Sequence, residues 1–177
     1  MPLPHFFDFY SLPVSFFIDE KELKKRFFAF NKQFHPDFHT LATPETQQQN
    51  LEMATYNNKA YETLLHFDQR VKYILELNGL LHEGEKYTLP SSFLMEMMEL
   101  NETLMELQAE PDANKVAQLL QAVNHAENNL LEEVLPAMKQ FAQNPGNTQL
   151  LTEIKDFYYK KRYLLRIKES LSKFASA

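Results

Sequence analysis

The sequence predicts an all-α chain, an N-terminal antiparallel helical hairpin followed by a C-terminal antiparallel three-helix bundle. Leu, Glu, Gln, Lys, Met and Ala are abundant, glycine occurs only 3 times in 177 residues, and no stretch alternates apolar and polar residues long enough to compete as a strand. Proline and glycine fall at a few places only, leaving long helical segments with short connections between them.

A short first helix is expected over 6–12, ended by Pro13. The second begins at Asp19, which has capping-box spacing with Glu22, and runs to the tripeptide His35-Pro36-Asp37. Proline pushes its preceding residue out of the helical region, so the helix must stop there and an imidazole and a carboxylate are displayed on a stiffened corner. On this helix Leu23, Phe27, Phe30 and Phe34 share one face and are expected in a core. Lys21, Lys25 and Lys32 share the opposite face, with Phe28 among them and Arg26 nearby.

The third helix, 44–66, starts on Pro44 at a favoured position and places Leu51, Ala54, Asn58, Tyr61 and Leu65 on one face. The fourth, 68–78, has Asp68 as its cap and Gly79 as its stop. Residues 81–89 lack helical periodicity and are expected to link two domains, 1–80 and 90–177. Beyond them come helices over 90–109, 112–143 and 147–174, separated by Pro111 and by Asn144-Pro145-Gly146. Pro136 is expected to kink or divide the middle one.

In the first of these three, Phe93, Met97, Leu100, Leu104 and Leu107 follow seam spacing. A surplus remains on the other side: Leu94, Met95, Met98 and Met105, beside Glu99, Glu102 and Glu106. A helix apolar on two opposed faces is either sandwiched or binds something, and methionine suits an adaptable contact surface.

Composition narrows the function. A net charge of −6 speaks against a nucleic-acid binder, and the absence of cysteine removes disulfides, thiolate nucleophiles and cysteine-ligated metal. No signal-like N-terminus or long apolar run is seen, so a cytoplasmic location is expected. Without a glycine-rich phosphate loop the chain itself is not expected to bind ATP, and no cofactor is expected. Charge is segregated: residues 20–34 carry five basic side chains against two acidic ones, and residues 92–110 carry five glutamates and no Lys or Arg.

The order short helix, basic helix, His35-Pro36-Asp37, loop, long return helix resembles a J-domain, the module by which DnaJ-type co-chaperones engage a DnaK-type ATPase. The resemblance extends through residues 58–64 (NKAYETL), 70–79 (RVKYILELNG) and 93–96 (FLME) to the HscB family, the J-type co-chaperones of iron–sulfur cluster assembly. It covers nearly the whole chain and implies a non-catalytic adaptor with two partners. The J-domain would stimulate ATP hydrolysis by a DnaK/HscA-type chaperone through His35, Pro36 and Asp37, with Lys21, Lys25, Lys32 and Arg26 supplying the docking face. The bundle would carry the iron–sulfur scaffold protein IscU on Leu94, Met95, Met98, Glu99, Glu102 and Glu106, completed by Tyr163. The sequence departs from the family pattern at His66, where Phe67 stands in place of the usual proline. It also lacks the two-cysteine metal extension of some eukaryotic members, which fits a bacterial-type form.

Two other readings compete. His35, Asp37 and His39 at i, i+2, i+4 on an extended loop could ligate a metal for hydrolysis, although no fourth ligand or nearby base is evident. A helical scaffold with no chaperone link is the other. His5, His82 and His125 are isolated and expected on the surface.

Overall fold

The structure is a computed structural model that describes residues 3–35, 37, 43–82 and 84–175. All regular structure among them is helical: α1 (Phe6–Phe9), α2 (Glu20–Phe34), α3 (Pro44–Leu65), α4 (Phe67–Leu77), α5 (Ser91–Glu96), α6 (Met98–Ala109), α7 (Ala113–Gln143) and α8 (Thr148–Ala175). The chain divides into two compact units, Met1–Leu77 and Asn78–Ala177.

In the first unit α2 packs on α3, which also receives α1 and α4. Helix α1 is shorter than expected because Ser11 adopts φ 51°. The Leu12 and Ser11 amides turn back to the Phe7 and Asp8 carbonyls at 2.8 and 2.9 Å, closing the helix at Phe9, four residues before Pro13. Phe6, Phe7, Phe9 and Tyr10 then enter a core shared with Phe16, Leu23, Leu64, Val71, Ile74 and Leu75. Of the expected α2 stripe only Leu23 is fully buried; Phe27, Phe30 and Phe34 are half-buried and held by ring contacts, Phe27 stacking on Tyr61 at 4.2 Å and Phe30 meeting Phe9 at 4.6 Å.

The buried face of α3 is rotated from the one its wheel predicts. Leu51 and Asn58 are exposed, while Ala54, Asn57, Ala60 and Leu64 are buried. Asn57 can enter the core because its polar atoms are matched there. Its amide donates to the Phe27 carbonyl at 3.2 Å, and the Tyr10 hydroxyl donates to its Oδ1 at 2.6 Å and its carbonyl at 2.9 Å. Burial pushes the Tyr10 phenol far above its ordinary pKa, so it stays a donor.

Helix α3 breaks at His66 (φ −84°, ψ 119°) although no proline follows. Arg70 provides the reason. Its buried guanidinium takes the Leu64 and Leu65 carbonyls, the latter at 3.2 Å, and the Phe16 carbonyl at 3.0 Å, satisfying groups that the interrupted helix leaves open. Helix α4 accordingly starts at Phe67, one residue before the expected aspartate cap.

In the second unit, α7 and α8 lie side by side and α6 packs on both. Asp112 caps α7 through the Asn114 and Lys115 amides at 2.7 and 3.2 Å. Asn147 caps α8 through the Gln149 and Leu150 amides at 3.0 and 3.4 Å. Phe93, Met97, Leu107, Leu119, Val123, Leu164, Ile167 and Leu171 form one core cluster, with Leu100 and Leu104 packed against it. Pro136 lies within α7 without dividing it. Between α7 and α8, Glu127 meets Lys161 at 3.4 Å and Lys168 more closely. Residues 85 and 87 of the expected linker lie against α8: the Tyr87 hydroxyl donates to Asp156 at 2.8 Å, its ring stacks on Tyr159 at 4.2 Å, and Glu85 pairs with Lys155.

The expected single helix over 90–109 is two, interrupted at Met97. The Asn101 side chain donates to the Met97 carbonyl at 2.7 Å alongside the Asn101 backbone amide at 3.1 Å, so one carbonyl serves two donors at the junction. Among the described residues no helix is long and apolar enough to cross a membrane.

Candidate docking surfaces

The first surface is built on α2. Asp19 accepts from the Lys21 and Glu22 amides at 2.9 and 3.2 Å, fixing where the helix starts and hence which residues share a face. Glu22 does not complete the capping box; its carboxylate goes to Arg26 Nε at 2.7 Å. Lys21, Lys25 and Lys32 are exposed, and Lys25 reaches Glu22 only at 4.0 Å. Phe28 stands exposed among them, its ring edge against Phe27 at 5.4 Å.

Arg26 is half-buried and already engaged. Its guanidinium turns inward, donating to the Tyr10 carbonyl and to the Ser11 carbonyl at 2.9 Å as well as to Glu22. It ties the end of α1 to α2, and the exposed charge on this face is the lysines'.

His35 caps the other end of α2. Its φ of −63° and ψ of 130° leave the helix, while its amide still donates to the Asn31 carbonyl at 2.9 Å. Its Nδ1 accepts from the Asp37 amide at 3.3 Å and lies 3.7 Å from the Asp37 carboxylate, which is exposed. The two side chains are thus brought together at one helix end. Pro36 lies outside the described residues, as does His39, the third ligand of the metal alternative. Among the described residues no three His, Cys, Asp or Glu side chains converge to hold a metal.

The second surface is built on α5 and α6. Phe93, Met97 and Leu107 are buried, which turns Leu94, Met95, Met98 and Met105 outward: they are 42%, 74%, 59% and 68% exposed. Glu99, Glu102 and Glu106 are exposed with them, and Glu106 pairs with Lys115 at 3.0 Å, which raises the Lys115 pKa. An apolar patch rimmed by carboxylates results.

Tyr163 approaches from α8. Its ring meets Phe93 edge-on at 5.6 Å and lies under the Arg166 guanidinium at 5.5 Å, and its hydroxyl accepts from Asn101 Nδ2 at 2.6 Å. Asn101 and Arg166 thus position Tyr163, and neither stood out in the sequence. The one available signal was a polar residue one helical turn from Met97 on the seam, but its partner lies 62 residues away.

Comparison with known proteins closes the identification. The family model described as the HSCB C-terminal oligomerisation domain matches residues 89–172. A curated relative from Vibrio cholerae serotype O1 (strain M66-2), named as a co-chaperone protein HscB homolog, is 36% identical over 116 residues, 64% of this chain and 68% of the relative. Among solved structures, chaperone HscB from Vibrio cholerae superposes with a TM-score of 0.79 at 27% identity, covering 97% of this chain and 98% of that one. Human co-chaperone HscB superposes with a TM-score of 0.80 at 26% identity, over 97% and 82% of the two chains. An all-helical J-type N-terminal unit and a helical bundle, joined in one chain with that degree of likeness, place this protein in the HscB co-chaperone family.

Proposed function

We propose that this chain stimulates ATP hydrolysis by a DnaK/HscA-type chaperone and delivers an IscU-type iron–sulfur scaffold protein to it. The observation that carries this reading is the presentation of His35 and Asp37 together at the end of a helix whose exposed face bears Lys21, Lys25 and Lys32. The lysines steer the chain onto an acidic chaperone surface, and the corner, with Pro36, makes the contact that matters for hydrolysis. The chain contributes no reacting group. It acts by binding the hydrolysis-competent state of the chaperone better than the resting one, since a ligand shifts an equilibrium only by its differential affinity.

The cargo sits on Leu94, Met95 and Met98, with Glu99, Glu102 and Glu106 setting the orientation and Tyr163 completing the patch. Its exposure beside a fully formed seam supports this, because packing within the bundle leaves those side chains unused. Single-turnover ATP hydrolysis by the cognate chaperone tests the trigger: it accelerates on adding the wild-type protein and not on adding His35→Gln. Equal acceleration by the two proteins refutes the reading.

A further inference from the structure

Cysteine is absent from this chain, so thioethers are its only reactive sulfur. Their accessibility differs widely, with Met53 on α3 half-buried. Met95, Met98 and Met105 stand far out of the surface, whereas Met97 is 7% exposed and Met138 is fully buried. The contrast between Met97 and Met98, adjacent in sequence, arises because the first points into the seam and the second away from it. Met98, Glu102 and Met105 follow one another at i, i+4, i+7 on α6, so the exposed sulfurs lie along the acidic apolar face.

We propose that Met95, Met98 and Met105 form an oxidation-sensitive modification site through which a hydroperoxide switches off scaffold binding; this rests on the cargo reading above. In the step, the thioether sulfur attacks one peroxide oxygen, the O–O bond breaks and an S–O bond forms. Sulfur loses two electrons and becomes a sulfoxide, while the other peroxide oxygen takes the proton of the transferred hydroxyl and leaves as water from hydrogen peroxide or as an alcohol from an organic hydroperoxide. A thiol-dependent sulfoxide reductase reverses it, returning the thioether and water at the expense of a dithiol.

The surroundings explain why affinity falls. A sulfoxide oxygen is a strong acceptor, and the neighbouring Glu99, Glu102 and Glu106 carboxylates are acceptors only. The Lys115 ammonium is already held by Glu106, and the Arg166 guanidinium lies over the Tyr163 ring. A sulfoxide covered by the scaffold's apolar contact therefore gains no hydrogen bond from the acidic rim, which is the costly way to bury a polar group. Residues 20–43, which contain α2 and the tripeptide, have no methionine, so the switch acts on cargo and leaves the trigger intact.

The test treats the full-length protein with hydrogen peroxide, maps sulfoxides by peptide mass spectrometry and measures calorimetric binding of the IscU-type scaffold of the same organism. Met95, Met98 and Met105 should oxidise well before Met97 and Met138, Kd should rise at least about tenfold, and reductase treatment should restore it. ATPase stimulation in the absence of scaffold should persist after oxidation. A Met95→Leu, Met98→Leu, Met105→Leu variant, whatever its own starting affinity, should show no change with peroxide. The proposal fails if Met97 oxidises as fast as Met98, if the fully oxidised protein binds scaffold as the untreated one does, or if the leucine variant loses affinity equally. Absence of scaffold binding by untreated protein would overturn the cargo reading and the switch together, whereas binding that ignores oxidation overturns the switch alone.

Discussion

Truncating Leu94 and Met98 together to alanine should cost the chain most of its hold on the scaffold and almost nothing of its fold. Leu94 is 42% and Met98 59% exposed, and those are the fractions a partner can still cover. Scaling the ~1.5–3 kcal/mol gained by fully burying such side chains gives ~0.6–1.3 kcal/mol for Leu94 and ~0.9–1.8 kcal/mol for Met98. Together that is ~1.5–3 kcal/mol, or about ten- to 150-fold in Kd. Unfolding should stay within ~0.5 kcal/mol of wild type, because neither side chain belongs to the bundle core. Isothermal calorimetry against the IscU-type scaffold reads the first quantity and urea denaturation the second. Leu51→Ala, a similar truncation of an exposed leucine on α3, provides the comparison. A Kd raised less than about threefold by the double variant, or an equal loss in Leu51→Ala, would refute the assignment of this face.

Two further predictions concern what holds the surfaces in place. Tyr10→Phe removes the donor that satisfies Asn57 in the buried core and should destabilise the chain by ~1–3 kcal/mol in urea denaturation; an unchanged midpoint would mean that Asn57 finds another donor. Glu127→Gln tests the α7–α8 ion cluster. Burial by itself would raise the Glu127 pKa, but Lys168 and Lys161 hold it below the usual carboxylate range. A depressed folded-state pKa gives stability that is present above the unfolded value near ~4.3 and is lost as pH falls through the folded one. The variant should therefore be ~1–2 kcal/mol less stable than wild type at pH 7, between the values for exposed and buried pairs. The gap should close when urea denaturation is repeated below the folded pKa; a gap of the same size there would show that the loss is packing rather than charge.

What the sequence disclosed was local. Asp19 caps its helix, and Asp112 and Asn147, where the sequence starts the last two helices, cap theirs, because a side chain bonding to amides two and three residues ahead is a matter of near neighbours. What it hid depends on residues far along the chain. The α3 wheel buries Asn58 on periodicity alone, whereas the structure buries Asn57, whose partners Tyr10 and Phe27 lie 47 and 30 residues away. The missing proline after His66 put the helix break in doubt; Arg70 makes the break without it by collecting carbonyls from two places in the chain. Arg26 sits beside the lysines in sequence and was grouped with them, but Tyr10 and Ser11 claim it. The outward methionines were legible for the opposite reason: a seam needs only one face of a helix, so apolar residues on the other face stand out by counting.

The two surfaces use different physics, and this orders the events they take part in. Exposed lysines act through a field that salt screens beyond ~8 Å at physiological ionic strength, so they accelerate encounter more than they lengthen residence. The apolar face of α5 and α6 acts by burial, which is felt mainly in the off-rate. Under the proposed function, a chain built this way would hold its scaffold for long and its chaperone briefly. Cargo would then already be seated when the lysine face meets the chaperone, and the corner at His35 would trigger hydrolysis and leave without undoing the contact it came to deliver. The acidic rim would serve the same order: on that reading Glu99, Glu102 and Glu106, all exposed, would repel an acidic chaperone surface from the cargo site, so that the two partners would not compete for one face.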